Sequence, residues 1–360
     1  MSIFDVAIVG AGPAGSVAAM VLARAGRRTL LLDAPLHHPL RRKVGESLPG
    51  AARPLLRDLG LLDRVEQGGH LPSYGTVSAW GTSEPQTRDA LRDPNGPGWH
   101  LDRTRFDASL RSAAEDADVA TGAMHVAGIE RTSEGWRLCP RGRSTQEAFP
   151  LARWVIDATG RRATLARSVG LARHRDDRLV ALCTWTVESL GDDERTLVEA
   201  VPEGWWYTAK VPDGGRVVVL HVDADCASEI LGREGAWHER LAATEHVRGM
   251  VGEKPLIAEG PVATEACGGC LDAAVWENGL AVGDAALSFD PLSSQGMLNA
   301  LYTGLRGAQA VDGALSGDAH RVVGYAERLE AVRAAYLEHH RGYYFAEGRW
   351  PDAVFWQRRR

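Results

Sequence analysis

Lysine is scarce in this chain, and a membrane-spanning run is absent from its sequence. Of the 41 basic residues only Lys43, Lys210 and Lys254 are lysines, which leaves 38 arginines. No apolar stretch is long enough to cross a bilayer, and Asp5 stands where a signal peptide carries basic residues. The five cysteines, an odd number, favour a reducing compartment. We therefore expect a cytoplasmic protein with no membrane partner.

The charge and cysteine patterns give no sign of nucleic acid or of a metal. The net charge is −6 and no long basic block occurs before the last three residues, Arg358 to Arg360, which we expect to be a solvated tail. Cys267-Gly268-Gly269-Cys270 supplies half the ligands of a structural zinc site, and no second pair exists. We predict neither a nucleic-acid partner nor a metal site.

A dinucleotide-binding pattern opens the chain. The apolar run Val6–Val9 leads into Gly10-Ala11-Gly12-Pro13-Ala14-Gly15, an amphipathic stretch follows, and the next apolar run ends at Asp33. This order is typical of a βαβ unit, in which the first glycine allows a tight turn, the second admits a pyrophosphate and the third lets helix pack on strand. The phosphates would bind at the helix N-terminus, and Asp33 would bind ribose hydroxyls.

Further elements of the same type lie far downstream. A buried strand ends at Asp157-Ala158-Thr159-Gly160, and another ends at Gly283-Asp284-Ala285. Asp284 is placed to bind the hydroxyls of a ribityl chain, which FAD has and NAD lacks; the alternative is a cap on the following turn. The loop from Phe289 to Met297 enters a helix predicted over 297–315, whose first N–H groups could hold a flavin carbonyl oxygen.

These motifs resemble those of the group A flavin monooxygenases and the flavin-dependent halogenases. The resemblance implies an α/β fold, with a Rossmann-like FAD-binding domain and an inserted mixed β-sheet substrate domain of the p-hydroxybenzoate hydroxylase type. It also implies contacts to FAD from Gly10, Gly12, Pro13, Ala14, Gly15, Asp33, Arg42, Ser47, Arg103, Asp157, Gly160, Gly283, Asp284, Pro291, Gly296 and Met297. Ser47 could instead cap a helix opened by Gly45–Pro49, and Arg103 could be a helix-start or ion-paired residue.

The missing lysine separates two branches of that superfamily. Halogenases are expected to carry a lysine beside the flavin, but this chain has none between Lys43 and Lys210, and Ser73 or Tyr74 stands near the expected place. His70–Gly75, Gly204–Tyr207 and Asp290–Gly296 are instead similar to the flavoproteins that hydroxylate peptidyl tryptophan during tryptophylquinone biogenesis. We therefore expect hydroxylation of an electron-rich aromatic ring, through a C4a-hydroperoxyflavin, on an indole or tryptophan that is free or peptide-bound.

Three strands predicted over 181–188, 205–211 and 216–223 carry the candidate substrate residues. Period-two alternation groups Trp185 with Cys183, Trp205 with Tyr207, and His221 with Val219. Trp185, Trp205 and Tyr207 could stack on an indole, or they could be ordinary packing aromatics of the sheet. Glu46 or His221 could act as the base, although the pattern favours a packed or exposed histidine for His221.

The predicted domains interleave. The FAD-binding domain is expected over 1–70, 100–180 and 258–324, the substrate domain over 71–99 and 181–257, and a C-terminal helical segment over 325–360. No second Gly-x-Gly-x-x-Gly occurs, so the reductant would be NAD(P)H visiting the flavin or a partner flavin reductase. A halogenase, an ene-reductase of the geranylgeranyl reductase type and an FAD-containing maturation chaperone remain alternatives.

Overall fold

The computed structural model describes residues 3–35, 43–142, 149–188, 193–252 and 260–360. Its strands are β1 (Phe4–Val9), β2 (Thr29–Asp33), β3 (Ser47–Leu48), β4 (Leu71–Ser73), β5 (Gly75–Ala79), β6 (Gln86–Asp89), β7 (Gly98–His100), β8 (Ala120–Ala123), β9 (Val126–Thr132), β10 (Gly135–Pro140), β11 (Leu151–Asp157), β12 (Arg173–Arg175), β13 (Leu179–Trp185), β14 (Thr196–Val201), β15 (Gly204–Lys210), β16 (Arg216–Asp223), β17 (Val262–Glu265), β18 (Gly269–Leu271), β19 (Val275–Trp276), β20 (Gly279–Ala281) and β21 (Leu287–Ser288). Its helices are α1 (Pro13–Arg24), α2 (Ala52–Asp58), α3 (Leu62–Glu66), α4 (Arg103–Glu115), α5 (Thr164–Ser168), α6 (Ala224–Gly232), α7 (Ala236–Ala242), α8 (Val247–Val251), α9 (Gly296–Leu315), α10 (His320–Ala346) and α11 (Val354–Gln357). None of the helices in these ranges combines the length and apolarity needed to cross a bilayer.

An eight-stranded sheet organises the first half of the site. Its central strands β20, β11, β1, β2 and β8 are parallel neighbours, while β9 and β10 are attached through β11. The last four residues of β1, the first four of β2 and the last three of β11 are buried, as expected for parallel strands covered on both faces. The carboxyl ends of β1, β2 and β11 therefore meet at one edge, where α/β sheets bind nucleotides.

A seven-stranded sheet in the order β17-β13-β16-β15-β14-β5-β6 forms the second layer. One face packs on α6, α7 and α8 through residues such as Leu220 and Trp237. The opposite face carries Cys183, Val217 and Val219 and packs against the C-terminal segment. The period-two grouping of these strands is thus confirmed, and we call this second face the inner face of the seven-stranded sheet.

Two local expectations were wrong. Gly45–Pro49 does not open a helix, because Ser47 and Leu48 form β3 and pair with His100 and Trp99 of β7, and α2 begins only at Ala52. A residue before proline is disfavoured in helical conformation, which is consistent with an extended Leu48. A cap role for Ser47 is therefore also excluded.

The C-terminal arginines are not a solvated tail. The side chain of Arg359 is 1% exposed and lies 2.7 Å from carboxylate oxygens of both Asp177 and Asp223. Arg358 pairs with Asp223 and with the exposed Asp225. A buried carboxylate needs such a partner, so the tail folds back onto the start of β13 and the end of β16.

Candidate functional site

The three glycines of the opening motif differ in how much space surrounds them in the structure. Gly10 has φ = +106°, and a Cβ there would overlap the carbonyl of Ala158 at the end of β11. A Cβ on Gly15 would overlap the carbonyl of Gly10, so both positions require close backbone contact. Gly12 has no atom within 4 Å of a Cβ position. The open space therefore lies at Gly12, in front of α1.

This space fits a pyrophosphate. α1 begins at Pro13, and its N-cap residue, Gly12, provides no side-chain hydrogen bond. The first N–H groups of the helix are therefore available to an anion. Asp33 is half-buried at the carboxyl end of the adjacent β2, and its Oδ1 accepts a hydrogen bond from the N–H of Ala34 at 2.9 Å. Arg42, the other residue expected on this side, lies outside the described residues.

Gly283 brings a second group to the same place. It has φ = +59°, and a Cβ there would lie 2.9 Å from the Cβ of Ala14, so the turn after β20 packs directly on the start of α1. The Gly283 N–H donates to Thr303 Oγ1 at 2.8 Å, which fixes the turn on α9. Asp284 is 36% exposed beside it and does not cap the turn. Its carboxylate is available to a ligand.

Arg161 is a neighbour of Asp284 that the sequence pattern did not single out. Its Nε lies 3.4 Å from Asp284 Oδ2, and its other nitrogens donate to the carbonyls of Cys267 and Phe289. It follows Gly160, which has φ = +65° and open space around a Cβ position. Its place directly after the Asp-Ala-Thr-Gly motif is a signal that could have been used.

Asp157 has a structural role. Its buried carboxylate accepts hydrogen bonds from the backbone of Thr159, Leu165 and Ala166, and from the Thr159 hydroxyl. These bonds saturate the acceptor sites of a carboxylate and hold α5 against β11. Burial raises the pKa of Asp157, although the hydrogen bonds oppose that shift. This arrangement favours structural support over direct contact between its side chain and a cofactor.

The loop before α9 is held by a buried carboxylate. Asp290 Oδ1 accepts from the N–H of Leu292 at 2.8 Å, which shapes the turn at Pro291. Its Oδ2 accepts from Tyr344 at 2.8 Å and lies 3.2 Å from His340 Nε2. Although burial raises the pKa of Asp290, the hydrogen bond from His340 and its neighbours lower it below the usual range. The loop is thus preorganised by α10.

Gly296 and Met297 follow that loop at the first turn of α9. A Cβ on Gly296 would meet no atom within 4 Å, whereas Met297 is buried at 8% exposure. The helix N-terminus again offers N–H groups beside open space. Tyr336 completes the support from α10, because its hydroxyl oxygen accepts a hydrogen bond from the Asp290 N–H at 3.0 Å.

Arg103 and Ser47 lie on the other side of the site. Arg103 begins α4, pairs with Asp107 at 3.1 Å and donates to the carbonyls of Val44 and Gly45. Its guanidinium therefore fixes the segment that leads into Glu46 and β3. Arg103 thus has both features of the alternative interpretation, a position at a helix start and an ion pair. A contact between Arg103 and a cofactor stays a prediction, and so does one between Ser47 and a cofactor.

The buried Glu46 and the half-buried Tyr207 form an acid–phenol pair. Glu46 is 4% exposed; its Oε1 accepts a hydrogen bond from the Tyr207 hydroxyl, and its Oε2 accepts from the Gly45 N–H at 3.2 Å. Burial and the Glu46 carboxylate raise the pKa of Tyr207 well above its usual value. Burial, followed by the charge of Glu46, likewise raises the pKa of the Cys183 thiol. Glu46 therefore faces the inner face of the seven-stranded sheet.

The register of that sheet places the aromatic candidates in rows. Trp185 lies opposite Val217, Cys183 opposite Val219, and Ala181 opposite His221; Tyr207 shares the Val219 row, and Trp205 shares the His221 row. Trp185 and Tyr207 are half-buried, and both pack against the same cluster as Val44 and Leu292. The structure thus groups these two candidates with Glu46 and the loop before α9.

Trp205 and His221 belong to the core instead. Their rings stack with centroids 3.6 Å apart, and their exposures are 1% and 3%. The Trp205 indole donates to Tyr344 at 3.1 Å, and Trp356 of the C-terminal segment packs in the same cluster. Burial lowers the pKa of His221 to about 3. A packing role is favoured for both, because the C-terminal segment covers this row.

Comparison with known proteins identifies the family. The family model described as an FAD binding domain matches residues 4–219. The chain is 27% identical over its whole length to the putative FAD-dependent oxidoreductase LodB of Marinomonas mediterranea, covering 97% of that protein.

Two solved structures share the fold. The myxobacterial chondrochloren halogenase CndH matches with a TM-score of 0.90 at 25% identity, over 100% of this chain and 86% of CndH. The peptidyl tryptophan dihydroxylase QhpG, described as essential for tryptophylquinone cofactor biogenesis, matches with a TM-score of 0.73 at 23% identity, over 99% of this chain and 79% of QhpG. With the open space at Gly12 and the available Asp284, these findings show that the chain belongs to the FAD-binding-domain family of oxidoreductases, within the monooxygenase and halogenase-like superfamily.

Proposed function

We propose that this protein is an FAD-dependent monooxygenase that hydroxylates an electron-rich aromatic ring of the indole type, with tryptophan, free or peptide-bound, as the substrate class. The observation that carries the proposal is the hydrogen bond between the buried Glu46 and the half-buried Tyr207, on the same face of the sheet as the half-buried Trp185. It supplies a proton acceptor and an aromatic surface at one place. The likeness to QhpG supports the fold, whereas the proposed substrate class rests on Glu46, Tyr207 and Trp185.

The cofactor would lie along the edge formed by β1, β2 and β11. Gly12 and the N-terminus of α1 would hold its pyrophosphate, Asp33 and Asp284 its hydroxyl groups, and the first N–H groups of α9 a carbonyl oxygen of its ring. When bound and reduced, FAD supplies the activation of O2 for insertion into an aromatic ring. Its electrons would come from NAD(P)H or a separate flavin reductase.

Glu46 is the group we assign to proton transfer. Hydroxylation of an aromatic carbon requires that carbon to lose its proton, and a carboxylate within hydrogen-bond reach can accept it. Tyr207 occupies one lone pair of Oε1 and orients the carboxylate, so Oε2, held by the Gly45 N–H, keeps an acceptor site for that proton. Trp185 would stack on the ring and, with Leu292 and Val44, exclude water.

Halogenation is the competing reaction, because CndH has the same fold. The chain has no lysine between Lys43 and Lys210, whereas the resemblance to halogenases implies one near residues 73 and 74. Lys43 itself is paired with Asp107 at 2.7 Å. A hydroxylase does not require this lysine, and its absence therefore favours oxygen transfer.

The test is a product analysis by mass spectrometry. The protein is supplied with FAD, a chemical or enzymatic reductant and O2, together with tryptophan or a tryptophan-bearing peptide, with and without bromide. We expect the mass of one oxygen on the indole, lost in Glu46→Gln but retained in Glu245→Gln, a change at an exposed carboxylate. A brominated product would establish a halogenase instead, and O2 consumption without any product would refute the indole assignment.

A further inference from the structure

Two buried residues beneath the Glu46–Tyr207 pair, Thr196 and His100, extend it into a chain. Thr196 forms a side-chain hydrogen bond with Tyr207, and its Oγ1 lies 3.1 Å from His100 Nε2. Thr196 is 7% exposed and His100 is completely buried. The chain therefore runs from His100 on β7, through Thr196 on β14 and Tyr207 on β15, to Glu46 before β3.

The direction of these hydrogen bonds follows from the ring of His100. Burial, reinforced by the charge of Arg216, lowers its pKa to about 4, so the imidazole is neutral at pH 7 and carries one proton. A hydrogen bond with the backbone of Lys210 opposes this lowering. Tyr207 donates its proton to Glu46, so its oxygen accepts from Thr196, and this uses the single proton of the Thr196 hydroxyl. His100 Nε2 therefore carries the ring proton and donates to Thr196.

With that tautomer every donor points toward the carboxylate. Thr196 accepts from His100 and donates its own proton to Tyr207, and Tyr207 donates to Glu46. Hydrogen bonds in such a series polarise one another, so each makes the Tyr207 hydroxyl a better donor. The positive charge of Arg216 lies near these hydrogen bonds and acts to lower the pKa of both His100 and Tyr207.

We propose that Thr196 and His100 are positioning residues that act through Tyr207 to orient the Glu46 carboxylate for proton transfer. The inference rests on the proposed function, in which Glu46 accepts the ring proton. It assigns a purpose to a buried polar chain that joins the three-stranded sheet of β3, β7 and β4 to the seven-stranded sheet.

The first test perturbs one end of the chain and observes the other without turnover. In protein labelled with 15N-histidine and loaded with FAD, the signal lost in His100→Gln identifies the His100 ring. We expect an Nε2–H tautomer, and we expect Glu46→Gln and Thr196→Val each to move that ring-proton signal. A signal unmoved by either variant would overturn the inference, because a simple structural brace carries no coupling between its ends.

The second test is kinetic and has a matched control on the same sheet. Thr184 of β13 is also buried, and its hydroxyl has no partner among the described residues. Thr184→Val therefore removes a buried hydroxyl that is not part of the hydrogen-bond chain from His100 to Glu46. We expect Thr196→Val to lower kcat roughly fivefold to tenfold at unchanged KM, Thr196→Ser to restore it, and Thr184→Val to leave it unchanged.

The two tests separate the inference from the proposed function. Unchanged kcat in Thr196→Val, with product still formed, would overturn the positioning role while leaving the hydroxylase intact. If the wild-type protein forms no hydroxylated indole, the proposed function fails, and the ring-proton experiment still decides whether the chain couples His100 to Glu46. A moved signal would then support the coupling, and an unmoved signal would overturn it.

Discussion

Replacing Arg359 by alanine isolates the contribution of the C-terminal tail to stability. The guanidinium is 1% exposed and pairs at 2.7 Å with Asp177 and Asp223, whose side chains are 14% and 5% exposed. It also lies 3.9 Å from the ring centroid of Phe355 and donates to the carbonyl of that residue. Arg359→Ala leaves two largely buried carboxylates without this partner. Removing one member of such a buried group costs about 3–5 kcal/mol.

The expected change in melting temperature follows from the size of the chain. Unfolding entropy is about 2.1 cal/mol/K per residue near 60 °C, or roughly 0.75 kcal/mol/K for a chain of this length. The loss therefore corresponds to a decrease in Tm of roughly 4–7 °C for Arg359→Ala. Differential scanning calorimetry at pH 7 and low salt measures this change directly.

The neighbouring Arg360 provides a matched control. It donates a hydrogen bond at 2.5 Å to the Glu347 carbonyl, whereas Arg358 shares the buried Asp223 with Arg359 and is not a suitable control. Arg360→Ala should cost about 1 kcal/mol, which corresponds to roughly 1 °C. If Arg359→Ala lowers Tm no more than Arg360→Ala does, the burial argument is wrong.

Three further predictions concern the buried hydroxyl, the buried imidazole and the cofactor cradle. Tyr344→Phe removes the link between a buried indole N–H and a buried carboxylate and should cost about 2–4 kcal/mol in urea unfolding, whereas the exposed Tyr343→Phe should be neutral; equal effects would contradict the assignment. Burial lowers the pKa of His221 to about 3 in the folded protein, against about 6.5 in the unfolded chain. The unfolded state therefore binds a proton below pH 6.5 that the folded state does not, and the free energy of unfolding falls by about 1.4 kcal/mol per pH unit between pH 6.5 and 3. His221→Phe should show a correspondingly smaller decline in stability between pH 6.5 and 4.5. Gly12→Ala should preserve the thermal stability of the FAD-free protein while weakening FAD binding in a fluorescence titration, whereas Gly10→Ala should destabilise both states; unchanged FAD affinity in Gly12→Ala would argue against the cradle.

Local patterns predicted the parts of the fold that depend on near neighbours. The β1–α1–β2 unit, α9 and the alternation along β13, β15 and β16 all follow from periodicity within a single element. Pairings between distant segments were not predictable in this way. The sequence around Gly45–Pro49 predicts a helix, because nothing nearby reveals that Ser47 pairs with His100, more than fifty residues later.

The candidate site shows the same division. Its glycines and Asp284 could be located from motifs, since a backbone turn and the space beside it are encoded locally. The supporting residues could not: Arg161 contacts Cys267 and Phe289, and Asp290 is held by α10, some fifty residues downstream. Only the four-residue spacing of Tyr336, His340 and Tyr344, which places them on one helix face, was available as a signal.

The C-terminal segment covers part of the inner face of the seven-stranded sheet. Alternation along the strands predicts both Trp205 and Trp185 as residues that could stack on an indole, and it does not show which of the two is covered by other segments. Tyr344 and Trp356 pack in the cluster with Trp205, whereas Trp185 remains half-buried. In the proposed function, a substrate ring would therefore lie at the Trp185 and Tyr207 rows, near Glu46, because the C-terminal segment covers the Trp205 row.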